Sequence, residues 1–198
     1  MRIILASSSP RRQQLMEQAG IPCEIIVSDV DESVDGEILA HEQVEQLALR
    51  KARAVRAQIS GEAIIIAADT LVSLDDKVLT KPTDGATAFA MLRALQGRKH
   101  TVYTGVAIIK TGNEDETYSF VEATDVFFRP LTNYEIGGYI ASDESFDKAG
   151  AYAAQGRGAL LVERIEGDFF TVMGLPISRL CVELGNIGVD VWALEDLE

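Results

Sequence analysis

Asp69 stands where a charge is out of place. It follows the run Ala63–Ala68, AIIIAA, and it precedes Thr70 and the further apolar stretch LVSL. Burying an unpaired carboxylate in such a run costs roughly several kcal/mol. Either the acid sits solvated at a strand's end, or it is held for chemistry. A strand-terminal acid is a common general base or metal ligand in α/β enzymes, because ligands gather at the carboxyl edge of the sheet. Lys51 is a second misfit, falling among Leu47, Ala48 and Val55 on the apolar face of a helix. It either snorkels its ammonium to the sheet edge or serves as an anion ligand. Arg11 and Arg12 lie in the first turn of a helix, where cations oppose the macrodipole. Free backbone N–H groups at that helix start would join them in a phosphate site; two exposed arginines are the alternative. Lys81, biased to an extended form because Pro82 follows it, reads by default as a solvated lysine, and Asp147-Lys148 as a local surface ion pair.

These cations matter more because the chain is acidic. With 18 Lys and Arg against 31 Asp and Glu, the formal net charge is −13. Such a balance disfavours a surface that coats nucleic acid, which needs Lys and Arg to neutralise phosphates. No apolar run approaches the ~20 residues needed to cross a bilayer. The short apolar stretch in MRIILASSSPRR does not make a signal peptide, so a cytoplasmic location and no membrane contact are expected. Cys23 and Cys181 form no CxxC pair and read as buried thiols. Neither a GxxxxGK[ST] loop nor a GxGxxG turn occurs. His41 and His100 lack a nucleophile-elbow partner, which argues against a serine triad.

The elements that must position these groups alternate between strand and helix. Arg2–Ala6 reads as a strand, followed by a helix with Ser9 as N-cap, Pro10 at its first position and Gly20 as its stop. Cys23–Ser28 is a second strand, leading into an acidic loop from Asp29 through Glu32 to Asp35 and Glu37. Residues 42–59 form the clearest helix. Beyond Asp69, a hairpin turn at Asp75-Asp76 returns the chain along Lys77–Leu79, and Thr83–Leu95 is helical. Long strands at Thr101–Lys110 and Thr117–Phe128 precede a T-x-x-E capping box at Thr132 and Glu135. Strands are expected at Ala159–Ile165 and Phe169–Val172, and a last helix opens at Gly174-Leu175-Pro176. The acidic tail from 195 to 198 reads as solvated. With no repeat or linker, the chain reads as one domain over residues 1–198, an α/β (α+β) fold with a mixed sheet.

In order along the chain, ASSSPRR at residues 6–12, Lys51 in LRKARAV, Ala68-Asp69-Thr70, Lys81-Pro82, DKAGAY at residues 147–152, Gln155-Gly156 and VMGLP at residues 172–176 resemble the Maf family of nucleotide pyrophosphatases. The resemblance spans nearly the whole chain. It implies an elongated mixed sheet flanked by helices, with a cleft between two lobes, as in inosine-triphosphatase-like proteins. It also implies metal-dependent hydrolysis of nucleoside triphosphates between the α and β phosphates, giving a monophosphate and pyrophosphate. Arg11, Thr70 and Gln155 match the subgroup that prefers dTTP and UTP. Ala153-Ala154 departs from the Gly-Ile of the family pattern, which would shift the base-side loop slightly.

On that resemblance, Asp69 is expected to act as general base or to hold the metal, with Glu32 as the second ligand for Mg²⁺ or Mn²⁺. Ser7, Arg12, Lys51 and Lys81 would hold the phosphate chain, and Thr70 and Gln155 would read a pyrimidine edge. Asp147 and Lys148 would stand at the cleft rim. A homodimer matches both the base rate and the family. Two other readings compete: a nucleotide-binding regulator of cell division without catalysis, and a phosphatase or pyrophosphatase for modified nucleotides.

Overall fold

The computed structural model describes residues 2–33 and 38–194. Asp35 and Glu37 of the acidic loop and the tail from 195 lie outside the described residues. The strands are β1 (Ile3–Leu5), β2 (Glu24–Ile25), β3 (Ile64–Leu74), β4 (Lys77–Leu79), β5 (Lys99–Lys110), β6 (Glu116–Phe128) and β7 (Val162–Glu166). The helices are α1 (Pro10–Gln18), α2 (Ala40–Arg56), α3 (Gly85–Leu95), α4 (Asn133–Ile140), α5 (Phe169–Met173) and α6 (Ile177–Asn186). The strands form one mixed seven-stranded sheet in the order β2-β1-β3-β5-β6-β7, with β4 added to β3. β1 runs parallel to β2 and β3, and every other pairing is antiparallel. The expected α/β mixed sheet is therefore what the chain builds. No helix among the described residues is long and apolar enough to cross a membrane.

Local chemistry accounts for most boundaries. Asp75 and Asp76 both take positive φ, 50° and 61°, as the tight turn between β3 and β4 requires. Thr132 and Glu135 form the reciprocal capping box of α4, and the Asp84 carboxylate caps α3 through the Thr87 N–H. Three expected strands differ. Phe169–Val172 is not a strand: the Asp168 carboxylate accepts from the Phe170 N–H and Gly174 closes the turn in the left-handed conformation, so the caps impose one helical turn on residues of high strand propensity. The strand expected over Ala159–Ile165 begins only at Val162, because Gly156–Leu160 form a 3-10 turn. Cys23–Ser28 likewise shortens to Glu24–Ile25, since its partner β1 is itself three residues long. Cys23 and Cys181 are free and half-buried rather than fully buried.

Strand alternation gives β3 two different faces. Ile65 and Ala67 pack with Ala48, Ala52 and Val55 of α2 on one side. On the other side, Ile64, Ile66 and Ala68 pack with α1 and α6, whereas Val72 packs with α3 and α4. Thr70 and its cross-strand partner Thr104 stand between these two apolar clusters. α2 approaches the sheet closely because Gly105 is opposite Asp69: a Cβ at 105 would lie 2.5 Å from the Val44 backbone.

Gly105→Ala is therefore expected to lower unfolding free energy by about 1–3 kcal/mol, read by chemical denaturation, because α2 must lift from the sheet. An unchanged midpoint would show that α2 rides up without loss. A second expectation concerns His100, which is 2% exposed, with Nε2 2.7 Å from the Tyr152 hydroxyl and Nδ1 without a partner among the described residues. Burial holds its pKa down at about 4, against the opposing pull of Asp125. The unfolded chain takes up this proton near 6.5 and the folded one near 4, so the contribution of neutral His100 is complete above 6.5 and declines as pH falls toward 4. The decline amounts to about 3 kcal/mol at most. Denaturation midpoints taken across that window should fall in the parent chain and flatten in His100→Gln.

Candidate active site

The sheet has a gap, and the site forms there. β1 accompanies β3 only as far as Ile66, and β4 joins the same edge only from Val72. Between them Asp69, Thr70 and Leu71 face a cleft of about 820 Å³ instead of a neighbouring strand on that side. The acid expected at a strand end thus lies within a long strand, at the carboxyl end of the short strand beside it. The cleft is also lined by Ser7, Arg11, Arg12, Glu32, Lys51, Lys81, Asp147 and Lys148. Segments far apart in the chain meet around it.

Asp69 is 8% and Lys51 9% exposed, and Lys51 Nζ donates to Asp69 Oδ1 at 2.6 Å. The lysine neither snorkels to water nor waits unpaired: it spans the face of α2 to the acid on β3. The same ammonium lies 2.7 Å from Glu32 Oε1. The hydrogen bond from Lys51 holds the Glu32 carboxyl below the usual range, with the charges of Lys51, Lys81 and Arg12 adding to it. Arg50, one residue before Lys51, donates Nη1 to the carbonyls of Asp31 and Ser33 and so brackets Glu32 in place. Among the described residues no hydrogen bond engages Asp69 Oδ2.

The helix start at Pro10 brings further donors to the cleft. Ser9 occupies the N-cap position in an extended conformation, but its side chain makes no capping bond. Instead its N–H donates to Ser7 Oγ at 3.1 Å, and Arg12 Nη1 donates to the same oxygen at 3.4 Å. An oxygen that accepts twice keeps its own proton to donate into the cleft. Arg12 is fixed by Nε to the Gly174 carbonyl at 2.7 Å and by Nη2 to Thr70 Oγ1 at 3.0 Å. Burial lowers its pKa from the ordinary arginine value, opposed by the charges of Asp69 and Glu32. Arg11 is half-buried, and burial lowers its pKa too, opposed by Asp147. It makes no hydrogen bond among the described residues.

Across the cleft, Lys81 is exposed, and Lys148 pairs with Asp147, as the local ion pair anticipated. Burial pushes the Asp147 carboxyl up, but the Lys148 hydrogen bond and charge, together with Arg11, bring it below its usual range. Gln155 is the one expected site residue not brought here: its side chain is exposed, and the wall of the cleft ends at Ala154. Thr70 does line the cleft, on the opposite face of β3 from Asp69, with its hydroxyl already engaged by Arg12 and Thr104. Thr104 escaped notice in the sequence because a threonine in a strand carries no distinguishing signal, whereas Tyr152, the last residue of DKAGAY, does line the cleft.

Among the described residues, five cations against three acids line this cleft in a chain of net charge −13. That concentration suits a polyanion of small size. Two carboxylates, Glu32 and Asp69, share one ammonium at contact distance. No group of three or more His, Cys, Asp or Glu that could hold a metal occurs among the described residues. Two hard oxygen donors completed by phosphate oxygens are the usual way a Mg²⁺-like ion is held with a nucleotide, so the residues fit such an ion.

The chain is similar to proteins of known name over most of its length. A dTTP/UTP pyrophosphatase of Bacillus cereus is 49% identical over 190 residues, covering 96% of this chain and 97% of that protein. A dTTP/UTP pyrophosphatase of Bacillus anthracis is 48% identical with the same coverage. Among solved structures, a HAM1 protein from Coxiella burnetii aligns over 94% of this chain and 99% of its own, at 16% identity and a TM-score of 0.49. The Staphylococcus aureus Ham1 protein aligns over 94% of this chain and all of its own, at 14% identity and a TM-score of 0.44. The family described as Maf-like protein matches residues 2–187, and with near-half identity to full-length relatives this makes the chain a member of the Maf family.

Proposed function

We propose that this cleft hydrolyses nucleoside triphosphates, dTTP and UTP foremost, between the α and β phosphates, releasing a nucleoside monophosphate and pyrophosphate. The observation that carries the reading is the buried Asp69 held by Lys51 at the floor of a cation-lined gap in the sheet. Near-half identity to dTTP/UTP pyrophosphatases supports the substrate class. An enzyme acting on free nucleotides would work in the cytoplasm, and as a homodimer by base rate.

Asp69 has the position of a general base. Lys51 engages Oδ1, which fixes the carboxylate plane and leaves Oδ2 to take a proton from a water attacking the α-phosphorus. Glu32 and Asp69 are the residues that would hold Mg²⁺ or Mn²⁺. Such an ion would neutralise phosphate charge and acidify a bound water. Ser7 donates its hydroxyl proton to a phosphate oxygen, and Arg12 presents its unused N–H groups beside it. The open N–H groups of the first turn of α1 act with them. Lys81 and Lys148, from the opposite wall, would offset charge growing on the pyrophosphate leaving group. For the base, Arg11 is the best-placed reader, since it lines the cleft without a hydrogen bond among the described residues. Gln155 would meet the base from beyond the wall, and Thr70 acts chiefly through the groups it already binds.

Resolving pyrophosphate plus monophosphate from phosphate plus diphosphate, over a panel of canonical and modified triphosphates with Mg²⁺, tests the reaction. Pyrophosphate should appear fastest from dTTP and UTP, and Asp69→Asn should lower kcat by about 10²–10⁴-fold while remaining folded. Near-normal turnover by folded Asp69→Asn would refute its assignment. Binding without turnover by the parent chain would favour a regulator. For Lys51→Met, kcat/KM for UTP should fall by about 10²-fold or more, since both carboxylates lose their shared cation. Unchanged kinetics would leave Lys51 a structural residue.

A further inference from the structure

Arg12 is gripped by a closed ring of hydrogen bonds, and the ring has a direction. Nε donates to the Gly174 carbonyl and Nη2 to Thr70 Oγ1. Thr70 Oγ1 lies 2.9 Å from Thr104 Oγ1, which lies 2.8 Å from the Thr171 carbonyl oxygen. A carbonyl accepts and cannot donate, so the single hydroxyl proton of Thr104 is committed to Thr171. The Thr70 proton must then go to Thr104, and Thr70 receives Arg12 on a lone pair. The Gly174 N–H closes the ring by donating to the same Thr171 carbonyl at 3.1 Å. Two chains of donors start at Arg12 and end on one oxygen, and neither can run the other way.

Thr104 is fully buried in β5, in register with Thr70, and does not line the cleft. We propose that Thr104 is a positioning residue for phosphate binding: it fixes the Thr70 hydroxyl as an acceptor, and through it the plane of the Arg12 guanidinium. The proposal rests on reading the cleft as a triphosphate site. Removing the Thr104 hydroxyl takes the acceptor from the Thr70 proton in a buried place, where an unmade hydrogen bond is costly. Thr70 then turns to find a partner, and Arg12 loses a fixed acceptor. The Thr171 carbonyl is not orphaned, since it keeps the Gly174 N–H. The loss therefore falls on the arginine.

The test measures binding of a UTP analogue with a methylene between the α and β phosphates, by calorimetry, and steady-state kinetics with UTP. Thr104→Val should weaken analogue binding and raise KM about five- to tenfold with kcat changed less than about twofold, and Thr104→Ser should stay near the parent. Thr104→Ala also lacks the hydroxyl, should repeat the valine result, and serves if valine does not fold. In an Arg12→Ala background, Thr104→Val should add nothing further. An equal loss in both backgrounds, or a serine variant as impaired as valine, would overturn the role of Thr104 while the triphosphate reading stands. A parent chain that neither binds the analogue nor releases pyrophosphate would overturn the triphosphate reading and this proposal with it.

Discussion

The contact between Lys51 and Asp69 is the constraint from which the rest of the site follows. A carboxylate in the middle of an apolar strand is tolerable only with a partner inside the same low-dielectric layer. The partner here comes from α2, and it reaches the acid because α2 lies against β5 at Gly105, directly beside Asp69 in the sheet. Val44, at the glycine, and Lys51 lie seven residues apart and so share one face of the helix. A side chain at 105 would lift that face, and the ammonium with it. Backbone proximity at a glycine, with no chemistry of its own, thus sets the distance between the two groups that have most of it.

The sheet serves the site by what it leaves unpaired. β1 is three residues long, and β4 begins only after Leu71, so the edge of β3 beside Asp69 is open. Short strands are usually a weakness in a sheet, because they bury little and pair little. Here the brevity of β1 turns its end into the loop of Ser7 and Ser9 and then the start of α1, and Ser7 through Arg12 line the same gap. Phosphate and carboxylate chemistry meet because one strand stops where another continues. The polar ring around Arg12 fits this arrangement. It lies in the row of β3 and β5 that separates the two apolar clusters, where Thr70 and Thr104 would otherwise have no partners.

Much of this was legible in the residues themselves. Lys51 and Asp69 were visible because each broke an apolar pattern, and a pattern is what a sequence displays. The capping box at Thr132 and the turn at Asp75-Asp76 were equally readable, since their chemistry is local. Phe169–Val172 misled because its side chains favour strand, while the caps at Asp168 and Gly174 favoured a turn of helix and prevailed over so short a segment. Gln155 was expected at the base from a motif, yet the motif records adjacency in the chain, and here the wall of the cleft ends one residue earlier. Thr104 and Arg50 were invisible for a different reason. Their roles depend on who stands across a strand pair or beneath a loop, and nothing in their own neighbourhood is unusual.

The overall charge completes the physical picture. A surface of net charge −13 repels long polyanions, whose many phosphates would meet it over a wide area. A free nucleotide is small enough to enter a local field, and the five cations that line the cleft among the described residues supply it. Screening supports the distinction, since at physiological salt charges more than about 8 Å apart hardly sense one another. On the triphosphate reading, the cleft offers its substrate a local positive field within a chain of negative net charge. The three acids within the cleft keep its cations from binding the polyanion indiscriminately: Lys51 and Lys148 are each already paired, so an entering phosphate must exchange partners with a carboxylate. On the triphosphate reading, that exchange would weaken ground-state binding and leave the fuller electrostatic gain for the state in which charge builds on the leaving pyrophosphate.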